Sequence, residues 1–192
     1  SKKVQALSQW QFSSYFNSKL YPSIDKIIVQ TPKQKKFFSK LGIKTKEIPN
    51  AVNPDNFIVS NNKKNIVLWV GNFHYGVRRP ELFLDLANRM KDTDLIFVMI
   101  GKNYEDRKAA LKFKQAAKTV TNLFYLGQIE REKTNSFFAI SKFFVNTSTF
   151  EGFPNTFIQA WLSQCPVLSL KIDYANYLSR GNFGFLCDDL DI

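Results

Sequence analysis

Phe143-Phe144-Val145-Asn146-Thr147-Ser148-Thr149-Phe150-Glu151-Gly152-Phe153-Pro154-Asn155-Thr156-Phe157-Ile158-Gln159-Ala160-Trp161 is the stretch that decides the fold. Its first five residues form an apolar, β-branched and aromatic run that predicts a buried strand. From Asn155 onward the apolar residues recur at helical spacing. A carboxylate, a glycine and a proline therefore sit on a turn between a strand and a helix, where parallel α/β sheets bind their ligands. The opening N–H groups of such a helix favour an anion. Glu151 repels an anion, so its oxygens are expected to accept hydrogen bonds from hydroxyls, as on a sugar.

The same alternation runs outward along the chain. Strands are predicted at 26–30, 47–49, 65–70, 95–100, 122–125, 143–147, 167–170 and 183–187. Helices are predicted at 32–41, 79–90, 105–119, 131–141 and 155–163. Most of the strands are continuously apolar, as strands covered on both faces should be. Alternating strand and helix implies an α/β domain with a doubly wound, Rossmann-like parallel sheet. Residues 1–22 are expected to be a partial helical extension, 23–64 a crossover segment and 65–192 the sheet domain. The irregular start and the end at Asp188-Asp189-Leu190-Asp191-Ile192 suggest a piece of a larger protein.

Composition narrows the function classes. The 192 residues are 44% hydrophobic and 22% charged, ordinary values for a globular domain. No apolar run approaches the ~20 residues needed to span a bilayer, and no signal peptide is visible. The two cysteines, Cys165 and Cys187, have no metal-type spacing and suggest reduced thiols in a cytoplasmic protein. The net charge of +11 is concentrated early, with 12 Lys against 3 acidic residues in 1–64. That surplus reads either as a solvated lysine-rich face or as an attraction to an anionic substrate or lipid, with peripheral contact at the inner membrane face. Nucleic acid is not expected, because no binding module and no aromatic-interleaved basic platform is present.

A second strand-to-helix loop, Val70-Gly71-Asn72-Phe73-His74-Tyr75-Gly76-Val77-Arg78-Arg79-Pro80, carries two arginines beside a helix start. Guanidinium grips phosphate oxygens with two parallel bonds. Arg78 is the first candidate and Arg79 the second. The lone histidine, His74, reads as a surface group, and no metal site can be built around it. Gly127-Gln128-Ile129-Glu130 is either the wall facing a flat base or an ordinary connection. No GxxxxGK[ST] or GxGxxG loop is present, which removes support for kinase, ATPase and dehydrogenase readings.

Taken in order, these motifs resemble the C-terminal, nucleotide-sugar-binding domain of retaining GT-B glycosyltransferases, the large group 1 (family 4). Ile28–Phe57, with Thr31-Pro32 and Ile48-Pro49-Asn50-Ala51-Val52-Asn53, is similar to the family's interdomain crossover. Leu68–Phe83 is similar to its phosphate-holding strand, loop and helix. Phe124-Tyr125-Leu126-Gly127 is similar to its "FLG" strand end, and Glu151–Val167 to its E-x7-E region and following strand. The resemblance implies that Glu151 contacts the hydroxyls of the donor sugar. It implies that Gly71, Asn72, Gly152, Phe153, Pro154, Asn155 and Thr156 lie against sugar and pyrophosphate. It implies that Gly127, Gln128, Ile129 and Gln159 face the nucleoside. Gln159 stands where the family has its second glutamate, and Asn72 where it has an arginine. The family's phosphate-binding lysine falls on Arg78.

The activity so implied is transfer of a hexose from a UDP- or GDP-sugar to a saccharide or lipid-linked acceptor, as in polysaccharide biosynthesis. It proceeds with retention and without a metal or other cofactor, and Glu151 and Arg78 carry the chemistry. The acceptor site would come from an N-terminal domain missing here, so that the fragment alone is inactive. Two alternatives remain at this level: a nucleotide-sugar epimerase of the same fold, and a non-catalytic module binding membranes or polyanions through its basic segment.

Overall fold

The computed structural model describes residues 25–102, 107–181 and 183–187. The expected extension over 1–22, the start of the helix at 105 and the acidic end after Cys187 lie outside these. The chain divides into two compact units that part between Ala51 and Val52.

Among the described residues the first unit holds one βαβ turn. Strands β1 (Ile27–Val29) and β2 (Thr45–Glu47) pair in parallel with Ile27 opposite Thr45. Helix α1 (Pro32–Lys40) connects them. Its start is fixed by a capping box: Gln34 N donates to Thr31 Oγ1 at 3.1 Å, and Thr31 N donates to Gln34 Oε1 at 3.1 Å. Pro32 occupies the first helical position, where its missing N–H costs nothing. Strand β2 begins earlier than the apolar pattern suggested, since it is the pairing with β1 that sets its register and Pro49 has no N–H to extend the ladder.

The second unit contains a six-stranded, fully parallel sheet: β3 (Lys64–Val70), β4 (Ile96–Ile100), β5 (Leu123–Tyr125), β6 (Ser141–Asn146), β7 (Val167–Ser169) and β8 (Gly184–Leu186), in the order β5-β4-β3-β6-β7-β8. Helices α2 (Pro80–Arg89), α3 (Arg107–Thr119), α4 (Arg131–Ile140) and α5 (Asn155–Leu162) connect the strands. Alternate residues of β3 enter opposite layers. Val67 and Trp69 pack with Phe83 of α2 and Phe113 of α3. Ile66 and Leu68 pack with Phe138 of α4 and Phe157 of α5. A strand buried on both faces needs apolar side chains at every position, and this accounts for the unbroken apolar runs. Strand β6 starts two residues before its apolar run, because the Ser141 hydroxyl is satisfied by donating to Phe137 O at 2.6 Å.

Residues 52–63 belong with the sheet rather than with the crossover segment in which the sequence pattern grouped them. Asn135 Nδ2 donates to Asn56 O at 3.2 Å. The Lys63 ammonium donates to Ala139 O at 2.7 Å and Ser163 O at 2.8 Å, capping the C-terminal carbonyls of α4 and α5 together. A cation there also answers the negative ends of two helix dipoles.

The order of strands reverses beside β3. The chain winds outward through β4 and β5, then returns to place β6 on the other side of β3. The connections leaving the carboxyl ends of β3 and β6 therefore diverge and open a crevice.

Candidate functional site

The loop after β3 is built around one buried aromatic anchor. Phe73 is buried and meets Trp69, Phe113 and Tyr125 at ring separations of 5.3, 4.8 and 5.1 Å. His74 O then accepts from the backbone N–H groups of Val77 and Arg78, at 3.0 and 2.7 Å, which folds the chain back on itself before α2. His74 itself is exposed.

Thr147 ties this loop to the one after β6. Its hydroxyl accepts from the buried Trp69 Nε1 at 3.0 Å and donates to Arg78 O at 2.5 Å. Its carbonyl accepts from Arg79 Nε at 2.9 Å. Thr149 N donates to Val77 O at 2.8 Å and adds a further tie between the loops. The two loops are thus held together by backbone and by a largely buried threonine, so the arginine and glutamate they carry are brought to a fixed separation.

Those two side chains meet. Arg78 Nη1 forms an ion pair with Glu151 Oε1. The Ser148 hydroxyl donates to the same carboxylate oxygen at 3.0 Å and lies 3.4 Å from Arg78 Nη1. An Asx turn sets Ser148 in place, with its N–H donating to Asn146 Oδ1 at 3.2 Å. The Glu151 side chain is 8% exposed and that of Arg78 35%. Burial pulls the Arg78 pKa down from its usual value, the direction desolvation imposes on a cation.

Arg78 and Glu151 form part of the wall of a cavity of about 380 Å³ at the switch point. Of the residues predicted to make the site, Gly71, Asn72, Arg78, Gln128, Ile129, Glu151, Phe153, Pro154, Asn155 and Thr156 line this cavity. Asn155 and Thr156 open α5, and its N-cap Pro154 makes no side-chain hydrogen bond to the first N–H groups. The positive end of that helix dipole faces the cavity wall they form.

Four predicted residues fall outside the cavity wall. Arg79 adopts left-handed backbone angles (φ 48°) as the N-cap of α2, which turns its side chain to the Thr147 carbonyl instead. Its neighbour Glu81 has its pKa raised by burial, against opposing shifts from its own backbone hydrogen bond and from Arg79. Gln159 donates from Nε2 to Asn135 Oδ1 at 3.1 Å, an amide pair that links α5 to α4. Gly127 serves through its backbone, whose carbonyl accepts from Gly101 N at 2.8 Å. Gly152 is also absent from the wall.

The structure adds Val70, Ile100, Gly101, Lys102 and Thr134 to the wall. Gly101 is there by necessity: at φ 151° a Cβ would lie 1.8 Å from Gly71 O. The signal for it was a glycine followed by a lysine directly after a predicted apolar strand. Among the described residues no group of three or more potential metal-ligating side chains occurs. No described helix is long and apolar enough to cross a membrane.

Comparison with known proteins agrees with this architecture. S. aureus TarM superposes with a TM-score of 0.74 at 20% identity, over 93% of this chain and 37% of that one. The pneumococcal O-GlcNAc transferase GtfA gives 0.72 at 16%, over 92% and 36%. Anabaena HepE gives 0.64 at 14%, over 84% and 49%. At such identities the likeness is one of fold. The chain spans little more than a third of the first two proteins and about half of the third. No curated protein sequence matches it. Residues 64–192 match the family of glycosyl transferases group 1. These residues include the whole six-stranded sheet and every residue of the cavity wall, and the chain belongs to that family.

Proposed function

We propose that this chain is the donor-binding part of a glycosyltransferase that moves a hexose from a nucleoside diphosphate to a saccharide or lipid-linked acceptor, with retention at the anomeric carbon. The observation that carries the reading is the Arg78–Glu151 pair in the wall of a switch-point cavity that also contains the opening turn of α5. A diphosphate entering there finds one guanidinium and one helix N-terminus, both suited to anions. Glu151 accepts hydroxyl donors of the sugar once Arg78 turns to the phosphates. As the glycosidic bond breaks, charge grows on the leaving diphosphate, and Arg78 together with the α5 dipole stabilises it. These fixed groups take the part that a metal ion plays in other sugar transfers. The acceptor site is assigned to a region outside these 192 residues.

Uridine is the base proposed. TarM was solved with UDP, fondaparinux and alpha-GlcNAc-glycerol, GtfA with UDP and GlcNAc, and HepE with UDP-glucose. Gln128 and Ile129 line the same cavity, which supports assigning the base to their side of it.

The test is calorimetric titration of the chain with UDP, GDP and UDP-sugars, beside Arg78→Ala and Glu151→Ala. The expected result is UDP binding that falls about 10- to 100-fold in Arg78→Ala, the loss of a charged hydrogen-bonding group. In Glu151→Ala, UDP binding persists while the difference between UDP and UDP-sugar disappears. Binding of UDP unchanged by Arg78→Ala overturns the assignment.

A further inference from the structure

A third loop reaches the crevice, from the strand next to β6. Strand β7 lies beside β6 in the sheet, so the chain leaving its carboxyl end emerges next to the turn that carries Glu151. The Ser169 hydroxyl oxygen accepts from Ile172 N at 3.1 Å. Asp173 then closes the loop on itself: its Oδ1 accepts from Leu178 N at 2.9 Å and its Oδ2 from Ser179 N at 3.0 Å. Leu178 is buried in the apolar layer of Leu68 and Phe157. Tyr177 meets Trp161 of α5 at a ring separation of 5.6 Å. The loop is therefore anchored to the domain on both its polar and its apolar side.

Between these anchors the backbone is strained. Ala175 and Asn176 have φ values of 51° and 61°, in the left-handed region. Asparagine enters that region readily, whereas the Cβ of alanine disfavours it. Such a backbone persists only where its surroundings hold it, and it collects at ligand sites. What this turn presents is Tyr174. Its ring stacks on that of Phe153, with centroids 4.0 Å apart and planes at 22°. Phe153 lines the switch-point cavity, midway along the turn from Glu151 to Asn155. The stack thus gives that turn a fixed point outside its own backbone. Once Arg78 turns to a phosphate, Glu151 gives up its ion pair, and the Ser148 hydroxyl and the Phe153–Tyr174 stack remain to hold the carboxylate and its turn.

We propose that Tyr174 is a positioning residue of the donor site: stacked on Phe153, it holds the turn from which Glu151 meets the hydroxyls of the sugar. This rests on the donor-site reading. Tyr174 acts through the Phe153 ring and Glu151, so it sets the preference for a nucleotide sugar over the bare nucleotide and leaves the diphosphate contact of Arg78 alone.

The experiment is calorimetric titration of the whole chain with UDP, UDP-glucose and UDP-GlcNAc. The variants are Tyr174→Ala, Tyr174→Phe, Glu151→Ala and Tyr174→Ala combined with Glu151→Ala, each checked for folding by circular dichroism. Tyr174→Leu, which keeps bulk without a ring, stands in should Tyr174→Ala not fold. In Tyr174→Ala the affinity advantage of the better UDP-sugar over UDP should fall about two- to twelvefold, the amount that one aromatic pair contributes. UDP affinity itself should be unaltered, and Tyr174→Phe should keep the wild-type advantage. In the Glu151→Ala background, Tyr174→Ala should have no further effect, an outcome that a general loosening of the fold does not give. A full sugar advantage in Tyr174→Ala, its loss in Tyr174→Phe as well, a UDP affinity that falls as far as that of the UDP-sugar, or a wild type without any advantage overturns this inference. UDP binding that still depends on Arg78 then leaves the donor site standing. UDP binding that is absent, or unchanged in Arg78→Ala, overturns both.

Discussion

Removing Arg78 should damage the fold more than removing its partner, even though the two make one ion pair. In Arg78→Ala the Glu151 carboxylate, 8% exposed, keeps among the described residues only the Ser148 hydroxyl at 3.0 Å. In Glu151→Ala the stranded group is a guanidinium with 35% of its side chain open to water. Breaking a fully buried pair by deleting one member costs about 3–5 kcal/mol, and deleting an exposed one costs about 0–1 kcal/mol. Arg78→Ala strands the more buried member, so about 2–3 kcal/mol is expected. Glu151→Ala leaves a cation that water can reach, so about 1 kcal/mol is expected. For a chain of this length 1 kcal/mol corresponds to about 2–4 °C in Tm. The expected shifts are thus about 4–12 °C and about 2–4 °C. The double variant removes the stranded carboxylate as well as the arginine, so it should be more stable than Arg78→Ala alone. Thermal unfolding followed by circular dichroism, without nucleotide, checks all three. A Glu151→Ala variant that melts at or below Arg78→Ala, or a double variant whose loss equals the sum of the two, would refute the reasoning.

Two further outcomes follow from the cavity and the core behind it. Gly101→Ala places a Cβ against Gly71 O in a backbone region that only glycine occupies readily, so a loss of at least about 3 kcal/mol is expected. UDP affinity should fall with it, because Gly71 and Gly101 line the cavity together; a Gly101→Ala chain with wild-type Tm removes the close-approach argument. Burial raises the Cys165 thiol to about 12, with the nearby Lys63 ammonium acting in the opposite direction. A folded pKa above the unfolded value of 9.0 means stability that is whole below pH 9 and lost as pH rises toward 12. The stability of wild type relative to Cys165→Ala should therefore fall by about 1.4 kcal/mol per pH unit between about pH 9 and 11, as read from denaturant midpoints. A pH-independent difference contradicts it.

How far the sequence could be read depends on what kind of interaction places each residue. The doubly wound sheet was legible because burial on both faces forces apolar residues at consecutive positions, as in Ile66 to Val70, and helical spacing separates the strands. The loops after β3 and β6, which line the cavity, were legible as candidate ligand loops because turn chemistry and charge are local properties. The sequence ranks Arg78 ahead of Arg79 and the resemblance agrees, yet no local pattern distinguishes two adjacent arginines. The deciding facts are a left-handed backbone at Arg79 and a carbonyl at Thr147, 68 residues away, that takes its Nε. The same holds for Gln159. Its amide is bound to Asn135 on another helix, a contact with no signature in either segment.

Thr147 shows why such residues escape a sequence reading. It is the last residue of an apolar run and looks like a strand end, yet it joins Trp69, the backbone of Arg78 and the side chain of Arg79. Its role exists only because β3 and β6 are neighbours, and that adjacency is a consequence of the order reversal. A chemical pattern that spans a switch point is assembled by topology, so its parts lie far apart in sequence and each alone looks ordinary. The Arg78–Glu151 pair obeys the same rule. Each residue stood out as a candidate ligand group, but neither carried any sign that it would hold the other. That pairing has a functional consequence. Under the donor-site proposal a phosphate reaching Arg78 competes with Glu151, and the carboxylate so released would be open to hydroxyl donors of the sugar in the same step.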